Sequence, residues 1–348
     1  MSSLIRKEVQ KIKGYSLKSF PHQIKLNQNE SPWDLPAELK AKALERLQSL
    51  SWNRYPTPFC DSLREKIAKR EGWMTEGVLV SGGSNILIQA LVLASAIGGK
   101  ILTVSPGFSL YELQGHLFSN KVVHVPLNRE DFSLPIDRFL KTLKKVKPQI
   151  VFLANPNAPT GNLLDPESLL KILQASRGLV VVDEAYFPFS GFTLFPYLKK
   201  FKNLVLVRTF SKAFSLGGVR LGYLLADPPL VAEFIKVVLP FSVGTLSQAV
   251  GEVVLENDSY VAERVRQTIQ ERERLYKELC QVKGLKVYPS KANFIIFQSK
   301  RSKEIFNGLV QKGILIRDVS SKDLPNTLRV TVGTFEENQR FLNEKEIL

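Results

Sequence analysis

Short apolar runs alternate with amphipathic segments through the middle of the chain, from about residue 61 to residue 227. The apolar runs are rich in Val, Ile and Leu and have the length of buried strands, whereas the longer segments repeat apolar positions with helical spacing. This alternation predicts a mainly parallel sheet with helices on both faces. The predicted strands are 78–81, 100–104, 122–125, 150–153, 179–183, 204–207 and 221–225, and the predicted helices are 61–71, 85–97, 109–119, 136–145 and 166–176.

The two ends of the chain have a different pattern. From residue 230 the sequence is mostly helical, with a long charged helix predicted over 259–280, and the tail then returns to mixed strands and helices. Together with the first 55 residues, this tail predicts a second, smaller α+β domain built from both chain ends. We therefore expect an N-terminal arm and part of the small domain in 1–55, the large domain in 56–240, and linking helices with the rest of the small domain in 241–348.

Composition excludes several classes of protein. The chain has 348 residues, of which 44% are hydrophobic and 23% charged, so it can bury a large core. Its longest apolar stretch, 86–97, is too short to span a bilayer, and the first residues lack the apolar segment of a secretory signal. Cys60 and Cys280 are far apart, and there are only three histidines, which argues against a disulfide framework or a metal site and favours a cytoplasmic setting.

The formal net charge of +15 indicates an affinity for anions, either nucleic acid or phosphorylated small molecules. Lysine clusters at 141–147 and 199–202 adjoin predicted helices and strands, and they lack interleaved aromatic residues that would stack on bases. The pattern therefore favours lysines scattered over solvated faces.

Polar residues follow three of the predicted strands, where ligands bind in a parallel sheet. The glycines of 81–85 and the free N–H groups of the next helix suit an anion. The turn at 155–161 is rigid, and Asn157 can donate a hydrogen bond there. Asp183 ends an apolar run, so it requires a cationic partner, and Tyr186 follows closely. Taken singly, these features also fit a helix-capped turn, a plain turn and a buried ion pair.

A fourth segment, 208–223, places Lys212 beside hydroxyl groups and among apolar residues. Removal from water there would lower the pKa of the lysine and make its neutral amine nucleophilic. Arg220 offers a planar fork for a phosphate group. The four segments together fit one cofactor, pyridoxal 5'-phosphate, with its aldehyde condensed on Lys212 as a Schiff base and its ring nitrogen paired with Asp183.

Motifs along nearly the whole chain carry a family resemblance. They are LNQNESP (26–32), RYPTP (54–58), SPGFSLY (105–111), NPNAPTG (155–161), VVVDEAYFPF (180–189), RTFSKAFSLGGVRLGY (208–223), ANFIIF (292–297), GILIRDV (313–319) and LRVTVGT (328–334). In their order and spacing the chain resembles the fold-type-I pyridoxal-phosphate aminotransferases, and within them the class-II-type histidinol-phosphate aminotransferase family. The resemblance implies an α/β large domain with a mainly parallel seven-stranded sheet between helices, and a smaller α+β domain.

The resemblance also implies a role for individual residues. Lys212 would bind the cofactor and then move the proton between substrate and cofactor. The residues implied around the cofactor are Asp183 at the ring nitrogen, Tyr186 and Asn157 at the ring oxygen, Phe108 stacked on the ring, and Ser84, Asn85, Thr209, Ser211 and Arg220 at the phosphate. Tyr55 is similar to a residue that reaches the cofactor phosphate of a neighbouring subunit, which implies a homodimer. The residues implied for the substrate are Tyr15, Asn29, Arg317 and Arg329.

Two positions depart from the family pattern. Many relatives have asparagine directly before Pro-Thr-Gly, where it touches the ring oxygen. This chain has Ala158 there, so we expect Asn157, one residue earlier, to make that contact. Relatives often carry an acidic residue in the phosphate turn where this chain has Asn85. Because backbone N–H groups make that contact, the phosphate site should tolerate the change.

The resemblance implies transamination between histidinol phosphate and 2-oxoglutarate in histidine biosynthesis. The same scaffold hosts other chemistry, so an aromatic or broad-specificity aminotransferase and a threonine-phosphate decarboxylase are alternatives. Arg317 and Arg329 do not separate these readings, because all of them can use arginine to bind an anion. An alternative of a different class is a basic nucleic-acid-binding protein on an inactive aminotransferase fold. Against it, the fold uses nearly all 348 residues and leaves no room for a DNA-binding appendage.

Overall fold

The computed structural model describes residues 4–12, 14, 20–257 and 259–348. The strands are β1 (Ile24–Lys25), β2 (Val78–Ser81), β3 (Lys100–Ser105), β4 (Lys121–Pro126), β5 (Ile150–Ala154), β6 (Leu179–Asp183), β7 (Leu204–Thr209), β8 (Gly222–Leu225), β9 (Lys286–Val287), β10 (Phe294–Gln298), β11 (Ile314–Leu315), β12 (Arg317–Asp318) and β13 (Thr327–Thr331). The helices are α1 (Lys7–Lys11), α2 (Ala37–Gln48), α3 (Asp61–Glu71), α4 (Ser84–Ser95), α5 (Ser109–Leu117), α6 (Ile136–Val146), α7 (Pro166–Ala175), α8 (Phe187–Ser190), α9 (Pro228–Ile235), α10 (Thr245–Leu255), α11 (Ser259–Cys280), α12 (Ser302–Gln311) and α13 (Phe335–Asn343).

The central sheet has seven strands in the order β2-β8-β7-β6-β5-β3-β4. Strands β4, β3, β5, β6 and β7 pair in parallel, while β8 is antiparallel to both of its neighbours. The prediction of a mainly parallel α/β sheet is therefore confirmed. The carboxyl ends of β5, β6 and β7 meet at one edge of the sheet, where the predicted site residues lie.

Apolar side chains cover both faces of this sheet because successive strand residues point to opposite sides. On one face, Val151, Val180 and Val182 pack beneath α6 and α7. On the other face, Phe152 and Val181 pack beneath α4 and α9. Burial on both faces explains why the strands read as continuous apolar runs.

The remaining strands form two small sheets near the chain ends. Strands β12, β13, β10 and β9 make an antiparallel sheet in that order, and β1 pairs in parallel with β11. Ile24 and Leu26 share an apolar cluster with Phe297 and Val330. Both chain ends therefore contribute to this α+β unit, while the boundaries at 55/56 and 240/241 stay predictions.

Among the described residues, no helix combines the length and the apolar character needed to cross a lipid bilayer.

Candidate active site

Lys212 follows β7, and its amine is held against the N-terminal segment of the chain. Its Nζ donates a hydrogen bond to the carbonyl of Gln28 at 2.9 Å and lies 6.0 Å from the centre of the Tyr186 ring. Removal of the amine from water, and then the positive charge of Arg329, lower the pKa of Lys212 to about 7. Near neutral pH a large fraction of this amine is therefore uncharged and can act as a nucleophile.

Asp183 is the last residue of β6 and is buried. Its Oδ1 accepts a hydrogen bond from the Ala185 N–H at 3.0 Å, and its Oδ2 accepts one from the Tyr111 hydroxyl at 3.0 Å. Burial raises the pKa of Asp183 to about 6, although both hydrogen bonds act in the opposite direction. In the part of the chain that the structure describes, no lysine or arginine forms a salt bridge with it. The carboxylate is thus suited to a cation supplied by a ligand.

Tyr186 lies beside Lys212 and is oriented by Asn29. The Asn29 Nδ2 donates to the Tyr186 hydroxyl oxygen at 2.9 Å, which leaves the hydroxyl proton available for another acceptor. Asn29 has a φ of 55°, in the left-handed region, and its backbone N–H donates to the Thr331 hydroxyl while its carbonyl accepts from Asn293 Nδ2. Residues from distant parts of the sequence therefore fix this asparagine.

An anion cradle forms where β2 meets α4. Gly83 has a φ of +101° immediately before Ser84, the first residue of α4. A Cβ at Gly83 would lie 2.4 Å from Nη2 of Arg220, so only glycine leaves room for this guanidinium. The free N–H groups and positive dipole end of the helix make the cradle suitable for a phosphate.

Hydroxyl groups from the end of β7 adjoin this cradle. Arg220 Nη1 donates to Ser211 Oγ at 3.2 Å and to the Gly217 carbonyl at 3.0 Å. The Ser211 N–H in turn donates to Thr209 Oγ1 at 3.1 Å. The structure thus brings Thr209, Ser211 and Arg220 together with the start of α4, where Asn85 is the exposed second residue.

Phe108 and Asn157 flank the strand ends. Phe108 is half-buried and packs edge-on against Tyr111, with ring centres 5.5 Å apart. Asn157 is fully buried, and its Nδ2 donates to the Pro106 carbonyl at 3.1 Å and to Thr160 Oγ1 at 2.7 Å. Its amide nitrogen therefore already has two acceptors, one in the turn and one 51 residues earlier in the chain, and its contact with a ring oxygen stays a prediction.

Two arginines from the small domain form a second cationic centre. Arg317 and Arg329 are directly opposite each other across β12 and β13, so their side chains leave the sheet on the same face. Arg329 Nη2 donates to the Asn27 carbonyl at 3.0 Å, and its charge acts on both Lys212 and Tyr186. Like charges placed opposite each other are unfavourable alone, so this arrangement suits an anionic ligand.

Two further tyrosines, Tyr55 and Tyr15, are among the predicted site residues. Tyr55 is 84% exposed and lies against Phe241, with ring centres 5.0 Å apart, so it belongs to the surface of the chain. Tyr15 lies outside the described residues.

Sequence reasoning missed Tyr111 and Asn293. Tyr111 lies in the quoted SPGFSLY motif, three residues after Phe108, which is the N-cap residue of α5, and the two rings meet edge-on. Asn293 lies in the ANFIIF motif, directly before β10. A polar residue within a mostly apolar motif was the available signal in both cases.

Comparisons with known proteins agree with this geometry. The family described as "Aminotransferase class I and II" matches residues 21–344. The histidinol-phosphate aminotransferase of Caldanaerobacter subterraneus subsp. tengcongensis is 37% identical over 351 residues, which cover 100% of this chain and 99% of that protein.

Two solved structures share the fold. The histidinol-phosphate aminotransferase from Sinorhizobium meliloti, in complex with pyridoxal-5'-phosphate, superposes with a TM-score of 0.89 and 21% identity over 99% of this chain and 97% of that one. The L-threonine-O-3-phosphate decarboxylase from Porphyromonas gingivalis gives a TM-score of 0.80 and 24% identity, with 93% and 98% covered. At these identities the likeness concerns the fold and does not separate the two chemistries.

Proposed function

Because the chain belongs to the class I and II aminotransferase family, and matches a histidinol-phosphate aminotransferase over its full length, we propose that it moves an amino group from histidinol phosphate to 2-oxoglutarate. The products are imidazole acetol phosphate and glutamate, and the reaction is reversible. The chain is an enzyme of histidine biosynthesis, and its cofactor is pyridoxal phosphate.

The residues of the site fit this cofactor. Asp183 is a buried carboxylate that requires a cation, and the protonated ring nitrogen of pyridoxal phosphate is one. The cradle at Gly83, which a Cβ would fill, suits its phosphate. Lys212 has the lowered pKa of an amine that condenses with an aldehyde. When bound, the cofactor supplies an acceptor for the amino group and a ring that takes up electrons.

Each residue then has a defined task in our proposal. Lys212 would hold the cofactor through its aldehyde, and its amine would move the proton to and from the substrate α-carbon. Asp183 would keep the ring nitrogen protonated, and Tyr186, oriented by Asn29, would donate to the ring oxygen. Asn157 would join this contact by exchanging one of its two present acceptors for the ring oxygen. Phe108 covers the ring. The phosphate ligands are the backbone N–H groups of Ser84 and Asn85 with the side chains of Thr209, Ser211 and Arg220.

The full-length match to a histidinol-phosphate aminotransferase carries the substrate assignment, and the position of Arg317 opposite Arg329 supports an anionic substrate. Histidinol phosphate carries a phosphate, and 2-oxoglutarate carries two carboxylates, so both half-reactions bring an anion to this face. We assign a carboxylate of 2-oxoglutarate to Arg329 and the phosphate of histidinol phosphate to Arg317. Asn29 and Tyr15 complete the proposed substrate contacts.

We also propose that the chain works as a homodimer. Five large apolar residues are exposed, and Tyr55 and Phe241 among them are in ring contact. We call this set the aromatic surface: Trp52, Tyr55, Leu239, Phe241 and Leu246. Exposed apolar residues of this size are typical of an interface. A second copy covering this surface would bring Tyr55 towards the cofactor phosphate of its partner. A cytoplasmic setting, expected from the cysteine content, is part of the same proposal.

The test is a panel of single half-reactions with the purified, cofactor-loaded enzyme. Histidinol phosphate, phenylalanine and threonine phosphate are mixed separately with the enzyme, and the visible absorbance follows conversion of the cofactor to its amino form. We expect histidinol phosphate to react with the highest kcat/KM, because it alone combines the phosphate with an imidazole ring. Arg317→Gln should reduce kcat/KM for histidinol phosphate by about tenfold or more, and for phenylalanine much less.

Two outcomes would contradict the substrate assignment. A clear preference for phenylalanine would favour a broad-specificity aminotransferase. Release of carbon dioxide from threonine phosphate would favour the decarboxylase, and neither result would change the fold or the cofactor.

A further inference from the structure

We propose that Tyr111 is a positioning residue that acts on the reaction through Asp183, by holding its carboxylate in the orientation that pairs with the cofactor ring nitrogen. This inference rests on the proposed function, because it concerns the same site.

The geometry leaves the Asp183 carboxylate little freedom. Each of its oxygens accepts one hydrogen bond at 3.0 Å, Oδ1 from the Ala185 N–H and Oδ2 from the Tyr111 hydroxyl. The first donor belongs to the local chain, two residues away, whereas the second comes from α5, 72 residues earlier. Tyr111 therefore ties the end of β6 to a separate helix and fixes the plane of the carboxylate.

The Tyr111 ring is itself locked by packing. Only 1% of the residue is exposed. Its ring stacks on Phe152, with centres 4.7 Å apart and planes 8° from parallel, and it meets Phe108 edge-on at 5.5 Å. A ring held on two sides in this way keeps its hydroxyl aimed at one point.

The protonation state of Tyr111 makes it a permanent donor. Burial, together with the neighbouring charge of Asp183, raises the pKa of Tyr111 well above its ordinary value near 10. The hydroxyl therefore stays protonated through the working pH range. A donated hydrogen bond stabilises the charged form of a carboxyl group, so Tyr111 opposes the rise in the Asp183 pKa that burial causes.

A second buried tyrosine provides a matched control. Tyr223 is also 1% exposed, and its hydroxyl donates to Oε1 of Glu71 at 2.7 Å. This bond belongs to a buried network with Arg208, which contacts Glu71 and Glu184. Tyr223→Phe thus removes the same group from an equally buried place without touching Asp183.

The experiment compares Tyr111→Phe and Tyr223→Phe in the full-length protein. In the cofactor-free form, infrared difference spectroscopy over pH follows the Asp183 carboxyl band, which Asp183→Asn identifies. We expect Tyr111→Phe to raise the pKa of Asp183 by about one to two pH units, and Tyr223→Phe to leave it unchanged. The dissociation constant for pyridoxal phosphate should rise by about tenfold in Tyr111→Phe alone.

Uniform 3-fluorotyrosine labelling of the unmutated protein tests the same bond if Tyr111→Phe does not fold. The fluorinated phenol is a stronger hydrogen-bond donor, so the Asp183 pKa should fall instead of rise. An unchanged Asp183 pKa in both the variant and the labelled protein would overturn the role of Tyr111. Failure of the unmutated chain to bind pyridoxal phosphate would contradict the proposed function instead, so the two failures are distinguishable.

Discussion

Two ionisable groups, the half-buried Lys212 and the buried Asp183, have pKa values displaced towards neutrality, and each costs stability in the absence of ligand. Lys212 is displaced downward to about 7 and Asp183 upward to about 6. Removal from water is the main cause of both pKa shifts, and the neighbouring groups offset it only in part. Such uncompensated groups are typical of functional sites, because the missing partner is the ligand itself.

Asp183→Asn should stabilise the cofactor-free protein in a pH-dependent way. The pKa of Asp183 is about 6 in the folded chain and 3.8 in the unfolded chain, so the folded state binds the proton more tightly. The cost of the buried charge is absent below pH 3.8, grows as pH rises, and is complete above pH 6, at about 3 kcal/mol. Urea unfolding should therefore show a larger gain for Asp183→Asn at pH 8 than at pH 4.5, with loss of aminotransferase activity.

The neighbouring glutamate is the control for this prediction. Glu184 directly follows β6 and forms a salt bridge with Arg208 at 2.8 Å. Glu184→Gln should destabilise the protein at both pH values, because it leaves a buried arginine with less compensation. A gain for Asp183→Asn that does not vary with pH would contradict the assigned pKa.

At the scale of elements, the turn between β2 and α4 has to meet two requirements of the proposed phosphate site. The turn must place the helix N-terminus at the sheet edge and also leave space for Arg220. Gly83 meets both needs through its positive φ and its missing Cβ. The nearby Gly222 has a related role, since a Cβ there would lie 2.3 Å from the Ser84 backbone nitrogen.

Gly83→Ala should weaken pyridoxal phosphate binding by about tenfold or more. The alanine is strained at a φ of +101° by about 1–3 kcal/mol, and its Cβ displaces the Arg220 guanidinium. Fluorescence titration of the cofactor-free protein measures the dissociation constant, and thermal unfolding measures the strain.

Two glycines separate strain from crowding in this test. A Cβ at Gly82 would meet its nearest neighbour at 3.4 Å, so Gly82→Ala should change cofactor binding little. Gly98 has a φ of +67° with open space around it, so Gly98→Ala should lower stability without affecting the cofactor. Equal losses of affinity in all three variants would refute the proposed cradle.

The elements were largely predictable from the sequence, whereas their contacts were not. Apolar runs predict the strands because a strand buried on both faces consists almost entirely of apolar residues, and helical periodicity predicts the helices that cover them. The position of β8 between β2 and β7 depends on how the chain crosses over, which local patterns do not encode. The contact between Tyr111 and Asp183 depends on the rotation of α5 against the sheet, so only the assembled fold reveals it.

At the scale of the whole molecule, the site draws on every region of the chain. Lys212 and Asp183 come from the large sheet, Asn29 from the N-terminal segment, and Arg317 and Arg329 from the C-terminal sheet. Tyr55, on the aromatic surface, adds a contribution from a second copy in the proposed dimer. Shared sites of this kind make activity a property of the pair of chains.

Mixing two inactive variants tests whether the sites are shared. Tyr55→Ala removes the residue proposed to reach the partner's site, and Lys212→Ala removes the residue proposed to bind the cofactor. A mixed dimer has one site with both residues intact, so random exchange of subunits should restore about a quarter of the normal activity. Enzyme assays after exchange, with dimer content measured by light scattering, report the result.

Phe241→Asp in both chains serves as the control for exchange. The charge on the aromatic surface should prevent dimer formation and abolish the rescue. Absence of rescue in dimers that do exchange would show that Tyr55 does not complete a partner's site.

Asn29 also has a consequence for how the protein is made. Its backbone N–H bonds to the hydroxyl of Thr331, which is 302 residues further along the chain. At ordinary rates of translation, the ribosome takes on the order of 15–60 seconds to cover that distance. The residue that orients Tyr186 must therefore wait until Thr331 has been synthesised, and a nascent chain cannot complete this set of contacts before that point.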